Sequence, residues 1–290
     1  MGAHRRALLG AVALTLLAGT ACGSDDTTTS ADPTTTAAAG ASSSTTVADA
    51  TTTTVTSAST LRILVTNDDG VSAPGLDAVV EAVRKLPGVE LTVIAPADNQ
   101  SGTGSKRTDG ALEVTDATTA SGYPAKAVKG FPADTVIYAL EQGGLPQKPH
   151  LVLSGDNQGA NIGPLTNVSG TIGAAKAAAA RGIPALASSQ GLATEPDYAT
   201  GAQLVVDWVE AHRADLLAGT APATATSINI PTCATGSLRG KVDVPIAADA
   251  NGRELFTSNC ASTLTNPVDD IEGFSNGFAT YSTVPLDGHA

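Results

Sequence analysis

Asp68 and Asp69 stand side by side between Asn67 and Gly70, directly behind the apolar run Leu61-Arg62-Ile63-Leu64-Val65-Thr66. Adjacent carboxylates repel each other unless a cation lies between them or one holds a proton. Hard divalent cations take oxygen ligands: carboxylates, hydroxyls and amide carbonyls. Three later segments supply such groups: Asn99-Gln100-Ser101-Gly102, then Ser154-Gly155-Asp156-Asn157-Gln158-Gly159-Ala160-Asn161-Ile162-Gly163, then Ser169-Gly170-Thr171. Asp68, Asp69, the Ser101 hydroxyl and the Asn157 amide oxygen make a plausible ligand set for one cation of the Mg2+ or Mn2+ type. Ser169-Gly170-Thr171 precedes a helical pattern, and helix N-termini offer unpaired N–H groups to phosphate. Each segment alone also reads as an ordinary polar turn. At consecutive strand ends they read together as one site.

The elements that must gather these residues alternate along the chain. Leu61 to Thr66 reads as a buried strand, and Leu76, Val79, Val80 and Val83 recur at helical spacing behind Pro74. Leu91 to Ala95 is a second strand. Val128 begins a short apolar piece, and Pro132 opens a helix through Leu140. Leu151 to Leu153 is a third core strand, and Gly173 to Arg181 an alanine-rich helix closed by Gly182. Pro184 to Ala187 is a further strand. Thr194 and Asp197 have capping-box spacing ahead of a helix carrying Leu204, Val205, Trp208, Val209 and Leu216. Ser227 to Ile230 is another strand. The β-α-β-α order predicts a three-layer α/β/α fold with a mostly parallel, Rossmann-like sheet. Lys241 to Val244 and Phe278 to Val284 read as antiparallel strands or a protruding arm, a small C-terminal addition to the sheet.

The first sixty residues stand apart. His4-Arg5-Arg6 followed by an uncharged stretch to Ala21 has the layout of a secretory signal. It is shorter than the roughly 20 apolar residues a membrane span needs. Leu17 to Cys22 resembles a lipoprotein box, so residues 1–22 are expected to direct export, with lipid on Cys22; plain secretion is the alternative. Residues 23–59 are rich in Thr, Ser and Ala, too poor in apolar surface to form a core. They read as a disordered tether whose ends would sit roughly 30–40 Å apart. Residues 60–290 suit one domain. Its contact with a membrane would run only through the lipid anchor. The net charge of −12 argues against a nucleic-acid polymer as partner but leaves room for a small phosphorylated substrate. With Cys22 assigned to lipid, Cys233 and Cys260 remain as a pair. A bridge between them suits an exported protein, and two buried thiols are the other reading.

These motifs, in this order, resemble the SurE (survival protein) family of metal-dependent nucleotidases. The resemblance runs from about Leu61 to Asp287. It rests on Ile63 to Gly70, Ala95-Pro96 with Asn99 to Gly102, Gly130-Phe131-Pro132-Ala133-Asp134, Ser154 to Gly163 and Ser169 to Thr171. Ser227 to Pro231 and Tyr281 to Asp287 resemble later landmarks. The resemblance implies Asp68, Asp69, Ser101 and Asn157 as metal ligands. Asn67, Asn161, Ser169, Gly170 and Thr171 would line the phosphate pocket, with Asp68 and Asn161 catalytic and Asp68 serving as base or nucleophile. It implies one divalent cation per site, Mg2+ or Mn2+, and hydrolysis of nucleoside 5′- and 3′-monophosphates, in some members also of short polyphosphate. A homodimer is an assembly it allows. Departures from the family pattern are Lys106 at a small-hydroxyl position, His150 at an acidic one, and Asp156 at an apolar one. Asp156 adds a third carboxylate, either at the metal or facing solvent. The region after Pro231 is also short. Two other classes bear on the same residues. One is a lipoprotein that captures a phosphorylated ligand without turnover. The other is a dinucleotide enzyme, which would need a Gly-x-Gly-x-x-Gly loop where Asn-Asp-Asp-Gly stands.

Overall fold

The computed structural model describes residues 60–286. The signal-like segment, Cys22, the tether and Asp287 lie outside the described residues. Every residue of β1 (Leu61–Thr66) except Arg62 is buried. A continuous apolar run of this kind fits a central strand covered on both faces. Around it lie β2 (Val89–Pro96), β3 (Glu113–Thr118), β4 (Pro124–Lys129), β5 (Leu151–Gln158), β6 (Ala185–Gln190), β7 (Ala225–Ile230), β8 (Lys241–Asp243) and β9 (Ala279–Val284). They form one nine-stranded sheet in the order β3-β4-β2-β1-β5-β6-β7-β9-β8. The six central strands are parallel, whereas β3 runs antiparallel to β4 and β9 antiparallel to β7.

Helices α1 (Pro74–Val83) and α4 (Tyr198–Ala218) cover one face, where Leu76, Val79, Val205 and Val209 pack with Ile63, Val65 and Leu153. Helices α2 (Pro132–Glu141) and α3 (Gly170–Ala179) cover the other, with Val136, Ile172 and Ala175 against Leu64 and Ile94. All residues of α3 are buried, and its short side chains let it lie close to the sheet. A short helix, α5 (Asp270–Ser275), precedes β9. Among the described residues no helix is long and apolar enough to cross a membrane.

The chain leaves β1 toward β2 on one side and returns to β5 on the other, so a topological switch point falls between β1 and β5. Crevices at such points, beyond the C-terminal strand ends, are where open α/β sheets bind ligands. Thr66 pairs with Ser154 there, which aligns Asp68 and Asp69 with the end of β5.

Several expected elements differ in detail. The β3–β4 hairpin was not expected; its outer strand carries exposed Glu113 and Asp116, paired with Lys129 and Lys126. Strand β5 continues through Gln158, so Ser154 to Asn157 is strand and not loop. Helix α3 starts at Gly170 with Ser169 as its cap, earlier than Gly173. The cap of α4 is Asp197, which accepts a hydrogen bond from Thr200 N, and not Thr194. The C-terminal strands do not form a separate antiparallel arm. They extend the main sheet, with β9 antiparallel to β7 as expected and β8 parallel to β9. Cys233 and Cys260 are bridged, with Cα atoms 5.7 Å apart.

Candidate functional site

The turn after β1 is braced by Asn67. Its amide donates to the Gly70 carbonyl at 2.9 Å and accepts from Gly70 N at 3.2 Å. Asn67 is fully buried, so it shapes the turn that presents the two carboxylates. Asp68 is also buried. Its Oδ1 accepts from the Thr171 hydroxyl at 2.7 Å, while its carbonyl takes the Gln100 N–H at 2.6 Å. Asp69 points to the other side. Its Oδ1 accepts from Asn99 Nδ2 at 3.2 Å and from the Ser101 hydroxyl at 3.5 Å, and its Oδ2 from Gln158 N at 3.0 Å. The loop bearing Asn99 and Ser101 is anchored further along by Asp134, which accepts from the Thr108 hydroxyl at 2.6 Å and also caps α2 through Phe131 N.

A bulge re-aims the end of β5. Ser154 pairs with Ala187 but Asn157 with Ser189, so β5 carries one extra residue. Gly155 permits this: its φ is 133°, and a Cβ there would stand 2.3 Å from the Ser188 carbonyl. Asn157 donates its Nδ2 to the Gly159 carbonyl at 2.6 Å. Asn161 donates its Nδ2 to Ser189 Oγ at 2.8 Å and, at 3.5 Å, to Thr171 Oγ1. Its own N–H goes to Asn229 Oδ1 at 2.7 Å. Ser169 accepts from Ile172 N at 3.1 Å, which fixes the first turn of α3. Gly170 lies against Asp68, where a Cβ would come within 2.7 Å of the Asp68 Cβ.

Asp68 and Thr171 are thus in direct contact, Thr171 reaches Asn161, and Asp69 is tied to Ser101 and to the residue after Asn157. Sequence reasoning missed Ser189, and it held Asn99, Gln158 and Asn229 within its motifs without giving them a role. A buried Asn inside the apolar run Ser227-Ile228-Asn229-Ile230 was the available signal for the last. Asp156 takes neither of the positions expected for it. It is fully buried against Gly201 of α4, where a Cβ would come within 2.0 Å of its Oδ2. Neither carboxyl oxygen makes a well-formed hydrogen bond among the described residues, although the Ser188 hydroxyl is near enough to favour its charged form.

The site is short of positive charge. Burial first, and then the charge of Asp69, push the Asp68 carboxyl up to about 6, against the opposing hydrogen bonds from Thr171. Burial also raises Asp69, opposed by Gln158 N, Asn99 and Ser101. Among the described residues neither carboxylate has a Lys, Arg or His ion-pair partner. A cation or a proton must therefore compensate them. No group of three or more His, Cys, Asp or Glu side chains is poised for a metal among the described residues. A cation here would rest on two carboxylates completed by neutral oxygens, for which Ser101 and Asn157 are at hand. The donor chemistry fits a hard, oxygen-seeking ion and not zinc.

Fold and site together define a three-layer α/β protein with its polar groups converging at the strand switch point. The family model for survival protein SurE matches residues 63–249. The 5′-nucleotidase SurE of Sorangium cellulosum is 34% identical over 240 residues, covering 78% of this chain and 90% of that protein. The one from Rhizorhabdus wittichii is 32% identical over 248 residues, covering 78% and 94%. That of Methanocella arvoryzae reaches 43% over 155 residues, 53% of this chain and 58% of its own. The crystal structure of the SurE protein from Aquifex aeolicus superposes with a TM-score of 0.62 at 26% identity, covering 78% of this chain and 94% of that one. The chain belongs to the SurE family, and its relatives place it among the nucleotidase hydrolases.

Proposed function

We propose that this protein hydrolyses phosphomonoesters, chiefly nucleoside 5′- or 3′-monophosphates, with the help of one divalent cation. The observation that carries the reading is the uncompensated Asp68–Asp69 pair in contact, through Thr171, with the first turn of α3. A Mg2+ or Mn2+ ion held by Asp68, Asp69, Ser101 and Asn157 would supply the charge that polarises a phosphoryl oxygen and acidifies a bound water. The chain's own groups do the positioning. Ser169 caps α3 and orients its first turn, whose positive end attracts the phosphate. Thr171 and Asn161 place a hydroxyl and an amide beside that turn. Asp68 stands between the two halves, so charge at one is felt at the other.

The same reading extends to location and assembly. Residues 1–22 and Cys22 support export with a lipid anchor, and a homodimer is the assembly we favour. Membrane fractionation before and after Cys22→Ala tests the anchor, and a sedimentation run tests the dimer.

The activity is tested with a phosphomonoester panel assayed with and without Mg2+ or Mn2+. Asp69→Asn is expected to lower divalent-stimulated turnover by on the order of 100-fold at limiting metal, because a ligand matters at least as much as its outer supports. Saturable nucleotide binding with no turnover under any divalent ion would make the protein a binder and overturn the reading.

A further inference from the structure

A cleft of about 970 Å3 opens between α4, β8, β9 and the segments that lead into β6 and β7. Those segments enter their strands at the N-terminal edge of the sheet. The cleft therefore lies across the sheet from Asp68 and the first turn of α3. Its volume is that of a small-molecule site.

Trp208 and His212, one turn apart on α4, form one wall with ring centroids 4.0 Å apart and planes 20° from parallel. His212 Nδ1 lies 2.7 Å from the Trp208 carbonyl, which can only accept. The neutral ring therefore keeps its lone pair on Nε2. From the opposite wall comes Tyr281, whose buried hydroxyl has no hydrogen-bond partner among the described residues. Burial, then the charges of Asp207 and Asp243, push this hydroxyl up to about 12. The lysine of the cleft is already committed, since Lys241 Nζ holds Asp207 Oδ2 at 2.9 Å. Asp243, on the same strand, makes no side-chain hydrogen bond or ion pair among the described residues.

The cleft thus presents aromatic rings, hydrogen-bond acceptors and one unmatched carboxylate. Its complement is a cation that donates hydrogen bonds and carries an apolar body. A phosphate or carboxylate ligand would meet repulsion from Asp243 and find Lys241 occupied. We propose that this cleft is a second binding site, for a small organic ammonium ion, separate from the phosphate site. The ammonium group meets the exposed Asp243 carboxylate, and the apolar body lies along Trp208.

Trp208 is the one tryptophan of the chain, so intrinsic fluorescence reads this cleft directly. The full-length protein would be titrated with 2-phenylethylammonium, 2-phenylethanol and phenylacetate, which share a body and differ in charge. A saturable fluorescence change is expected with the ammonium ion, about tenfold tighter than the alcohol, and none with the carboxylate. Asp243→Asn, an isosteric change on an exposed residue, is expected to weaken ammonium binding by about tenfold and leave nucleotide turnover unaltered. The proposal is overturned if the ammonium ion gives no saturable response, if phenylacetate binds as tightly, or if Asp243→Asn binds the ammonium ion as the parent does.

Discussion

Asp156 is enclosed by Gly201 and lies close to Gln190, whose Oε1 also lacks a partner among the described residues. Burial, against an opposing contact from the Ser188 hydroxyl and with added repulsion from Asp69 and Asp197, lifts its carboxyl from 3.8 to about 8. The folded protein therefore favours the neutral acid. A raised carboxyl stabilises the fold fully below its unfolded value of 3.8, and that stability is lost as pH rises through about 8. Asp156→Asn cannot ionise, so it escapes this loss. In metal-free protein, its melting temperature is expected to gain on the parent progressively between about pH 4 and pH 8. Above that the gap should level. A gap that stays flat across this window would mean that the carboxyl is not held neutral in the fold.

Helix α3 shows how an element serves chemistry at some cost to itself. Gly170 at its start is a poor helix former, and alanine there would ordinarily gain up to about 1 kcal/mol in a helix interior. Yet a Cβ at this position would stand 2.7 Å from the Asp68 Cβ, 2.9 Å from its Oδ2 and 2.9 Å from Pro132 Cγ. Gly170→Ala is therefore expected to displace Asp68 against Thr171 and lower turnover on the order of 100-fold, the scale of an ångström-sized misplacement. Circular dichroism should show the fold retained. Full activity in Gly170→Ala would mean that this close approach is not needed.

At the same scale, the limits of the sequence are physical. The bounds of β1 and α1 were legible because burial on both faces, or on one stripe, imposes an apolar pattern. The β3–β4 hairpin was not, because β3 is an exposed edge with no apolar periodicity. The extension of β5 through Asp156 and Asn157 was hidden because polar residues occupy it and a bulge breaks its register. The carboxylates, Ser101, Asn157 and the α3 start could be picked out from their chemistry and order. Their support by Ser189 and Asn229 could not, since it depends on which strands become neighbours.

For the whole molecule, the disulfide governs how firmly the C-terminal part is held. Cys233 lies just past the end of β7 and Cys260 before α5, at a sequence separation of 27. Closing a loop of this length should stabilise the fold by about 2–4 kcal/mol. Cys233→Ala with Cys260→Ala is expected to lower denaturant stability by that amount, measured against the oxidised parent. Equal midpoints would show that the bridge closes a region already ordered without it.

The two borders of the sheet carry a consequence for crowded conditions. A strand with free N–H and C=O groups along one side is a template for another chain, and such templates seed fibrils. Here one border is β3, whose Glu113 and Asp116 face outward among solvent with their lysine partners. The other is β8, only three residues long. Neither offers a long, flat, apolar rail on which a neighbour could dock in register. Edge-to-edge pairing between neighbouring molecules is therefore disfavoured at both borders.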